Sequence, residues 1–407
     1  MSYHASRKPI SVVKTYLNHN CTDLIPPPGV IINDSNRETW CDWVPFDGPD
    51  ASTLLGYLDS AFLFAYAVAM FFSGFVADRI SLRYFLAMGM ITSGISCYLF
   101  GIARYYNIHL LSYFIIVQIF GGIVQTTGWP GVVAVMGNWY GKEKRGLLFG
   151  LWNSHTSLGN IVGGLIAGRF LNIDWGLSFI IPGVLIAAVG LVDFLFLVDT
   201  PEDVGCILQE VSQQPCNTGV FEYSVCLFFS KLVSYTCLYW LPSYIKSSTS
   251  LGATLSSYIA TIFDVGGIIG GLIAGYITDS TGLSATTCFV MLVISIPLLL
   301  LYNLFGAIDV SVNIVMLIIL GIFVNGPYAL ITTAVSADLG THESLSGNSK
   351  ALATVSAIID GTGSIGAAVG PLLAGIFSAA GWRKVFYLLM LSDVLALLVS
   401  FTNLKVF

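Results

Sequence analysis

Residues Ser157–Gly168 read SLGNIVGGLIAG, and residues Ser364–Gly375 read SIGAAVGPLLAG. Gly159, Gly163, Leu165, Ala167 and Gly168 recur as Gly366, Gly370, Leu372, Ala374 and Gly375. Beyond the segment, Trp175 and Phe179 recur as Trp382 and Phe386, still in register. A second echo sets Gly74-x-x-x-Asp78 against Gly275-x-x-x-Asp279. Glycine-rich apolar helices resemble one another by chance, but the shared Trp and Phe outside the segment weigh against that explanation. A repeat of this length means two like units in one chain. The pairs Gly159/Gly163 and Gly366/Gly370 are small-xxx-small motifs, which let helices approach closely. They are expected where two halves rock against each other.

The rest of the chain says what those units are made of. Of its 407 residues, 55% are hydrophobic and 10% charged, against roughly 25% charged in soluble domains. A water-soluble fold is excluded. At ~20 apolar residues per bilayer span, the length accommodates about a dozen helices. Glycine, at 42 residues, is more frequent in membrane helices than in soluble ones. Charges punctuate the chain: none falls within 60–77, 84–103, 105–141, 146–168 or 175–192. Spans are expected near 54–77, 84–104, 110–138, 146–170 and 175–198. A second set is expected near 221–246, 252–278, 284–306, 311–337, 350–378 and 383–404. The apolar runs are long and unalternating, which excludes a strand barrel. The expected fold is therefore an all-α polytopic membrane protein of eleven full spans. Residues 1–17 read as the tail of a first helix, and no signal peptide is visible. The chain divides into an N-terminal bundle (1–198), a polar central linker (199–219) and a C-terminal six-helix bundle (220–407). Two bundles of this kind are a transporter architecture, with the substrate at the bilayer midplane between them.

Orientation follows from the polar segment 18–53. It holds two glycosylation sequons, Asn20-Cys-Thr22 and Asn33-Asp-Ser35, and no other occurs in the chain. Both in one loop indicate a lumenal or extracellular face. Cys21 and Cys41 share that loop; a disulfide and two free thiols are both open readings. The next turns then face the cytoplasm, and they carry Arg79, Arg83, Lys142, Lys144 and Arg145, as the positive-inside rule expects. Lys246, Arg383 and Lys384 fall on the other side and do not obey it.

Gly74-x-x-x-Asp78-Arg79-x-x-x-Arg83 resembles the loop signature of the major facilitator superfamily, with Ser81 where a Gly is usual. Tyr3-His-Ala-Ser-Arg7-Lys8, Gln125-Thr-Thr-Gly128-Trp129-Pro130 and Trp152-Asn153-Ser-His155 resemble the organophosphate:phosphate antiporter branch, and within it the animal sugar phosphate exchangers (solute carrier family 37). Gly326–His342 and Asp360-Gly-Thr-Gly-Ser364 carry the same resemblance. It implies a major facilitator fold of two six-helix bundles with the first helix largely missing. A complete first helix and a longer central loop are the family pattern, so the chain reads as a fragment, splice product or diverged copy.

The resemblance also implies a basic residue on the first helix and another on the seventh, facing across the midplane. Arg7 matches the first; Lys231 matches the second, about one turn further from Trp240 than the family pattern. A charge at the bilayer centre costs ~3 kcal/mol on insertion scales, so Lys231 in Phe228-Phe-Ser-Lys231 needs a purpose. Arg grips phosphate with a bidentate fork and Lys acts as a point charge. The competing readings are an interfacial, helix-end Arg7 and a Lys231 that snorkels to an interface. His155 is a phosphate contact or a buried, satisfied histidine, displaced one position from the family's His. Tyr235 shares a face with Lys231 and is either core or contact. Gln125 precedes Trp129-Pro130, where the proline frees a backbone carbonyl. Asp264 and Asp360 lie in apolar helices and line a cavity or pair with a cation.

Gly361-Thr-Gly363-Ser-Ile-Gly366 fits a dinucleotide fingerprint literally, but it lies in an apolar helix with no preceding strand, so it is helix packing. No GxxxxGK loop, HExxH motif or catalytic triad occurs. No enzymatic activity, cofactor, metal or nucleic-acid partner is expected; the expected partners are a sugar phosphate, inorganic phosphate and the lipid bilayer. The leading reading is an antiporter exchanging a sugar phosphate, glucose 6-phosphate from the family, for phosphate by alternating access in the endoplasmic reticulum membrane. The alternatives are a proton-coupled organic-anion symporter using His155 or Asp264, and a non-transporting scaffold or sensor. In a secretory-pathway membrane, Asn20→Gln and Asn33→Gln should each remove one glycan step on a gel; a wild type with no glycan shift would refute the lumenal placement of 18–53.

Overall fold

The computed structural model describes residues 1–17, 43–48, 50–139, 145–171, 173–205, 220–336 and 351–404. Asn20, Asn33, Cys21 and Cys41 lie outside the described residues. The helices are α1 (Ser2–Arg7), α2 (Pro9–Leu17), α3 (Ala51–Ala77), α4 (Leu82–Ile102), α5 (Leu111–Gln125), α6 (Gly128–Trp139), α7 (Arg145–Phe170) and α8 (Leu177–Phe196). After residue 219 come α9 (Val220–Ser248), α10 (Ala253–Ala260), α11 (Ile262–Thr281), α12 (Ser284–Phe305), α13 (Val310–Leu330), α14 (Ala351–Ser378) and α15 (Trp382–Leu404). Among the described residues, ten apolar helical stretches are long enough to cross a bilayer. The eleventh expected span is α7, 26 residues long. Its Asn153, Thr156, Ser157 and Asn160 are buried, while Leu151, Leu158 and Leu165 are exposed. The polar stripe lowers its apolarity because that face turns inward.

Prolines and polar side chains explain the breaks within expected spans. Pro9 has no N–H to continue a helix, and α1 gives way to α2 at Lys8. The expected span 110–138 divides at Thr126–Thr127. Pro130 leaves the carbonyl of Thr126 unpaired within the helix, and the Ser73 hydroxyl of α3 donates to it at 2.8 Å. The span expected over 252–278 divides at Thr261, whose hydroxyl donates to the Tyr258 carbonyl at 2.6 Å. Past Pro327, α13 widens into a π-helical segment, Ile331–Val335.

The sequence repeat reappears as packing. Along α7, Gly159 faces the Met1 carbonyl and Gly163 the backbone of Ala5. Along α14, Gly366 faces the Phe228 carbonyl and Gly370 the Leu232 carbonyl of α9. So α7 seats the first helix as α14 seats α9. These glycine pairs therefore act within each half, which corrects the expectation that they lie where the halves meet. Between halves, other glycines make the approach. A Cβ on Gly56 of α3 would lie 3.3 Å from the Cα of Gly375 in α14. One on Gly150 of α7 would lie 2.9 Å from the Gly271 carbonyl oxygen of α11. The repeated aromatics anchor equivalent cores: Trp175 and Phe179 pack edge to face at 6.4 Å, and Phe386 meets Tyr244 at 5.0 Å.

The loop signature makes a latch. The Asp78 amide donates to the Gly74 carbonyl and closes α3. Arg79 turns back, donating to the Phe75 carbonyl at 2.9 Å. Arg83 Nε donates to the Leu197 carbonyl at 2.5 Å. Asp199, at the start of the expected linker, caps α4 from across the bundle. Its carboxylate accepts from the Ser81 hydroxyl (2.7 Å) and from the amides of Leu82 (2.9 Å) and Arg83 (2.8 Å). Asn138 and the Trp139 indole donate to the carbonyls of Asp199 and Val198. A carboxylate on free helix N–H groups also meets the positive end of the helix dipole.

Two expectations follow. Asp199→Ala should lower thermal stability in detergent by about 1 kcal/mol, the usual worth of a helix cap, with Asp199→Asn recovering part of it. Gly366→Leu should give no monodisperse peak in size-exclusion chromatography, because its side chain occupies the place of the Phe228 carbonyl; normal elution would refute the packing described.

Candidate substrate site

Among the described residues, four cations are buried: Arg7 (8% exposed), Lys8 (2%), Lys14 (2%) and Lys231 (1%). Such groups are rarely buried unless paired, and three have carboxylates. Lys14 of α2 pairs with Asp59 of α3 and lies over the Trp240 ring of α9. Lys8 lies 3.9 Å from Asp264 of α11. Lys231 of α9 meets Asp360 Oδ1 of α14 at 2.5 Å and the Ser364 hydroxyl at 3.1 Å. Lys231 is thus buried inside the bundle, not snorkelling, and a carboxylate from another helix already faces it.

Arg7 differs. Among the described residues no carboxylate pairs with it. Its Nε donates to Gln125 Oε1 at 2.5 Å, and the Gln125 amide donates onward to the Ser6 hydroxyl at 3.2 Å. The guanidinium lies 4.5 Å from the Tyr66 ring centroid and 5.6 Å from that of Phe62. Gln125 therefore orients Arg7, and two aromatic faces supply cation–π attraction.

Tyr66 joins the two cations. Beneath Arg7 its ring is a platform, and its hydroxyl donates to Asp360 Oδ2 at 3.4 Å. Lys231, on the other oxygen of Asp360, also lies 5.8 Å from the Tyr235 ring and 5.9 Å from that of Tyr328. Arg7 from the first half and Lys231 from the second are thus gathered around one carboxylate and a cluster of tyrosines. Tyr235 belongs to that cluster. His155 is further off: its Nδ1 is 2.6 Å from the Trp152 carbonyl of its own helix, and its ring meets His4 at 6.0 Å.

A proline ties the halves together here. Pro242 leaves the Leu238 carbonyl without its helical donor. Lys8 Nζ and the Ser11 hydroxyl each donate to it at 2.9 Å. The cavity between α7, α9, α11 and α13 has a volume of about 30 Å³, room for one or two waters. From sequence, Tyr66, Asp59 and Lys14 do not stand out, and Lys8 stands out only beside Arg7 in the motif that carries the family resemblance. A tyrosine in an apolar helix looks like any other, and the three charges stand at the margins of apolar runs.

The Major Facilitator Superfamily model matches residues 48–349. The glucose-6-phosphate exchanger SLC37A2 of Mus musculus is 51% identical, over 97% of this chain and 88% of its own. That of Danio rerio is 52% identical, over 98% and 88%. The glucose-6-phosphate exchanger SLC37A1 of Mus musculus is 45% identical, over 98% and 89%. Among solved structures, a bacterial homologue of the human lysosomal transporter Spinster superposes with a TM-score of 0.62 over 99% of this chain and 96% of its own. At 15% identity that likeness is one of fold. The chain belongs to the major facilitator superfamily and, within it, to the sugar phosphate exchangers of solute carrier family 37.

Proposed function

We propose that this protein exchanges glucose 6-phosphate for inorganic phosphate by alternating access, with Arg7 and Lys231 gripping the phosphate group from the two halves. The observation that carries the reading is the electrostatic inequality at the centre. Three buried lysines each face an aspartate, and Arg7 faces an amide and two rings. The counter-charge that suits Arg7 is an anion from outside. The relatives at 51–52% identity are named glucose-6-phosphate exchangers, and both exchanged anions bear the same charged group.

The geometry supports a sequence of steps. An entering phosphate dianion meets Arg7 and competes with Asp360 for Lys231. For Lys231 the swap is nearly balanced, one ion pair for another. For Arg7 it is a gain, of about 4 kcal/mol at 4 Å and an effective dielectric of 20. Asp360 keeps the Tyr66 and Ser364 hydroxyls, 3.4 and 3.5 Å away. Substrate bridging α1 and α9 draws the two bundles, 1–198 and 220–407, together. Empty, Arg7 remains uncompensated and the halves cross slowly, so occupancy is coupled to the rocking motion. Admission of a sugar phosphate to a cavity of about 30 Å³ requires the halves to part at one end. Residence in the endoplasmic reticulum membrane, with 18–53 in the lumen, completes the reading.

The test is phosphate exchange in phosphate-loaded proteoliposomes at matched protein abundance. Gln125→Glu hands Arg7 the carboxylate it lacks and should lower exchange at least about tenfold, equivalent to 1.4 kcal/mol of binding. Arg7→Lys should weaken binding through loss of the fork; Lys231→Ala should abolish exchange, with Lys231→Arg retaining part. Near-normal exchange by Gln125→Glu and Lys231→Ala would refute the grip. Uptake without internal phosphate, driven by a pH gradient, would establish symport instead.

A further inference from the structure

We infer that the cavity between α7, α9, α11 and α13 is the subsite that reads the sugar's hydroxyl groups, with Asn153, Asn160 and Asp264 as its specificity-determining residues. This deepens the exchange reading above and rests on it. The cavity is lined by Asn153, Asn160, Asp264, Ser234 and Asn325, an unusually polar set for the interior of a membrane bundle. Part of the set is internally satisfied: Asn160 Nδ2 donates to Asp264 Oδ1 at 2.9 Å, and the Ser234 hydroxyl donates to Asn325 Oδ1 at 2.6 Å. Part is not. Asn153 Oδ1, Asn160 Oδ1 and Asp264 Oδ2 are buried with no hydrogen-bond partner, on side chains more than nine-tenths buried; the Lys8 ammonium faces Asp264 Oδ2 only at ion-pair range, 3.9 Å, beyond hydrogen-bond length. Buried unpaired polar atoms are rare, and each costs roughly 1–3 kcal/mol.

The chemistry of the unpaired atoms identifies what they await. All three are acceptor oxygens, so the missing group is a donor. A fully ionised phosphate has no donor, whereas each hydroxyl of a pyranose has one. The cavity also adjoins the phosphate grip. Tyr235 and Tyr328 line it, and those same rings lie 5.8 and 5.9 Å from Lys231 Nζ. A phosphate held by Arg7 and Lys231 then projects its sugar past the two tyrosines toward Asp264. When inorganic phosphate is carried instead, water donates to the same oxygens. The division of labour is that the cations bind what the two substrates share and this cavity binds what distinguishes them. A site built around hydroxyls rejects analogues that lack one, because its own buried groups are then left unpaired.

Gly267 provides a steric probe that removes none of the hydroxyl-reading side chains. It lines the cavity, and a Cβ there would lie 2.9 Å from Asn325 Nδ2 and 3.0 Å from the Ser157 hydroxyl. Phosphate-loaded proteoliposomes should be assayed for phosphate uptake and for uptake of glucose 6-phosphate and its deoxy analogues. The readout is the ratio of the two KM values. Wild type should take up deoxy analogues more weakly than glucose 6-phosphate. Asn153→Ala, Asn160→Ala and Gly267→Ala should each raise the KM for glucose 6-phosphate at least about tenfold relative to that for phosphate, and Asn160→Ala should also flatten the preference for the hydroxyl it reads. Parallel changes in both KM values, no change in either, or a wild type indifferent to every deoxy analogue would overturn the subsite while leaving phosphate exchange standing. A wild type that exchanges neither anion would overturn the exchange reading and the subsite with it. If Asn160→Ala does not yield folded protein, Gly267→Ala and the wild-type analogue series decide.

Discussion

Charge at the centre of a low-dielectric bundle is the constraint on which the rest of this structure depends. A buried ammonium or guanidinium must find a counter-charge or a dense set of acceptors and π faces. Lys14 draws in Asp59, Lys8 draws in Asp264 and the Leu238 carbonyl, and Lys231 draws in Asp360 and Ser364. One of these pairings, Lys8 with Asp264 and the Leu238 carbonyl, joins the two halves and helps fix how the bundles meet. Arg7, held by Gln125, Tyr66 and Phe62, is the member of the group that no carboxylate pairs with among the described residues.

Backbone accounting reinforces that arrangement. A proline inside a helix exposes the carbonyl four residues before it. In lipid that carbonyl must be satisfied from within the protein. Pro130 exposes Thr126 and Ser73 answers it; Pro242 exposes Leu238 and Lys8 and Ser11 answer it. The second case places the first helix against α9 at the level of the central cations. One proline thus opens the carbonyl through which the two bundles make contact.

The glycine pattern separates packing within a half from packing between halves. Gly159 and Gly163 occupy the places in the repeat of Gly366 and Gly370, and they receive backbone of the first helix where Gly366 and Gly370 receive that of α9. Gly56, Gly375, Gly150 and Gly271, on helices that meet across the halves, make close approaches of their own. Seating within each half keeps the bundles rigid. Glycine-to-glycine approaches between halves involve few interlocked side chains, which suits surfaces that separate and rejoin.

Composition and the spacing of charges by themselves determined the helical spans, the twofold repeat and the membrane setting, because a bilayer demands ~20 apolar residues per crossing whatever the tertiary contacts. They also marked Lys231, Asp264 and Asp360 as residues in need of an explanation, since a charge in an apolar run is costly; Arg7 and Gln125 stood out through the motifs that carry the family resemblance. What they did not contain was the pairing. Lys231 and Asp360 stand 129 positions apart, and no local periodicity relates them. Tyr66 is invisible among the aromatics of α3 until the fold sets Arg7 on its ring. Lys8, Lys14 and Asp59 stand beside apolar runs and read as helix ends until the bundle closes over them. Asp199 reads as linker until it meets the free amides at the start of α4. Helix formation depends on neighbours in the chain, whereas counter-ions and caps are chosen by neighbours in space, and only the packed bundle decides which those are.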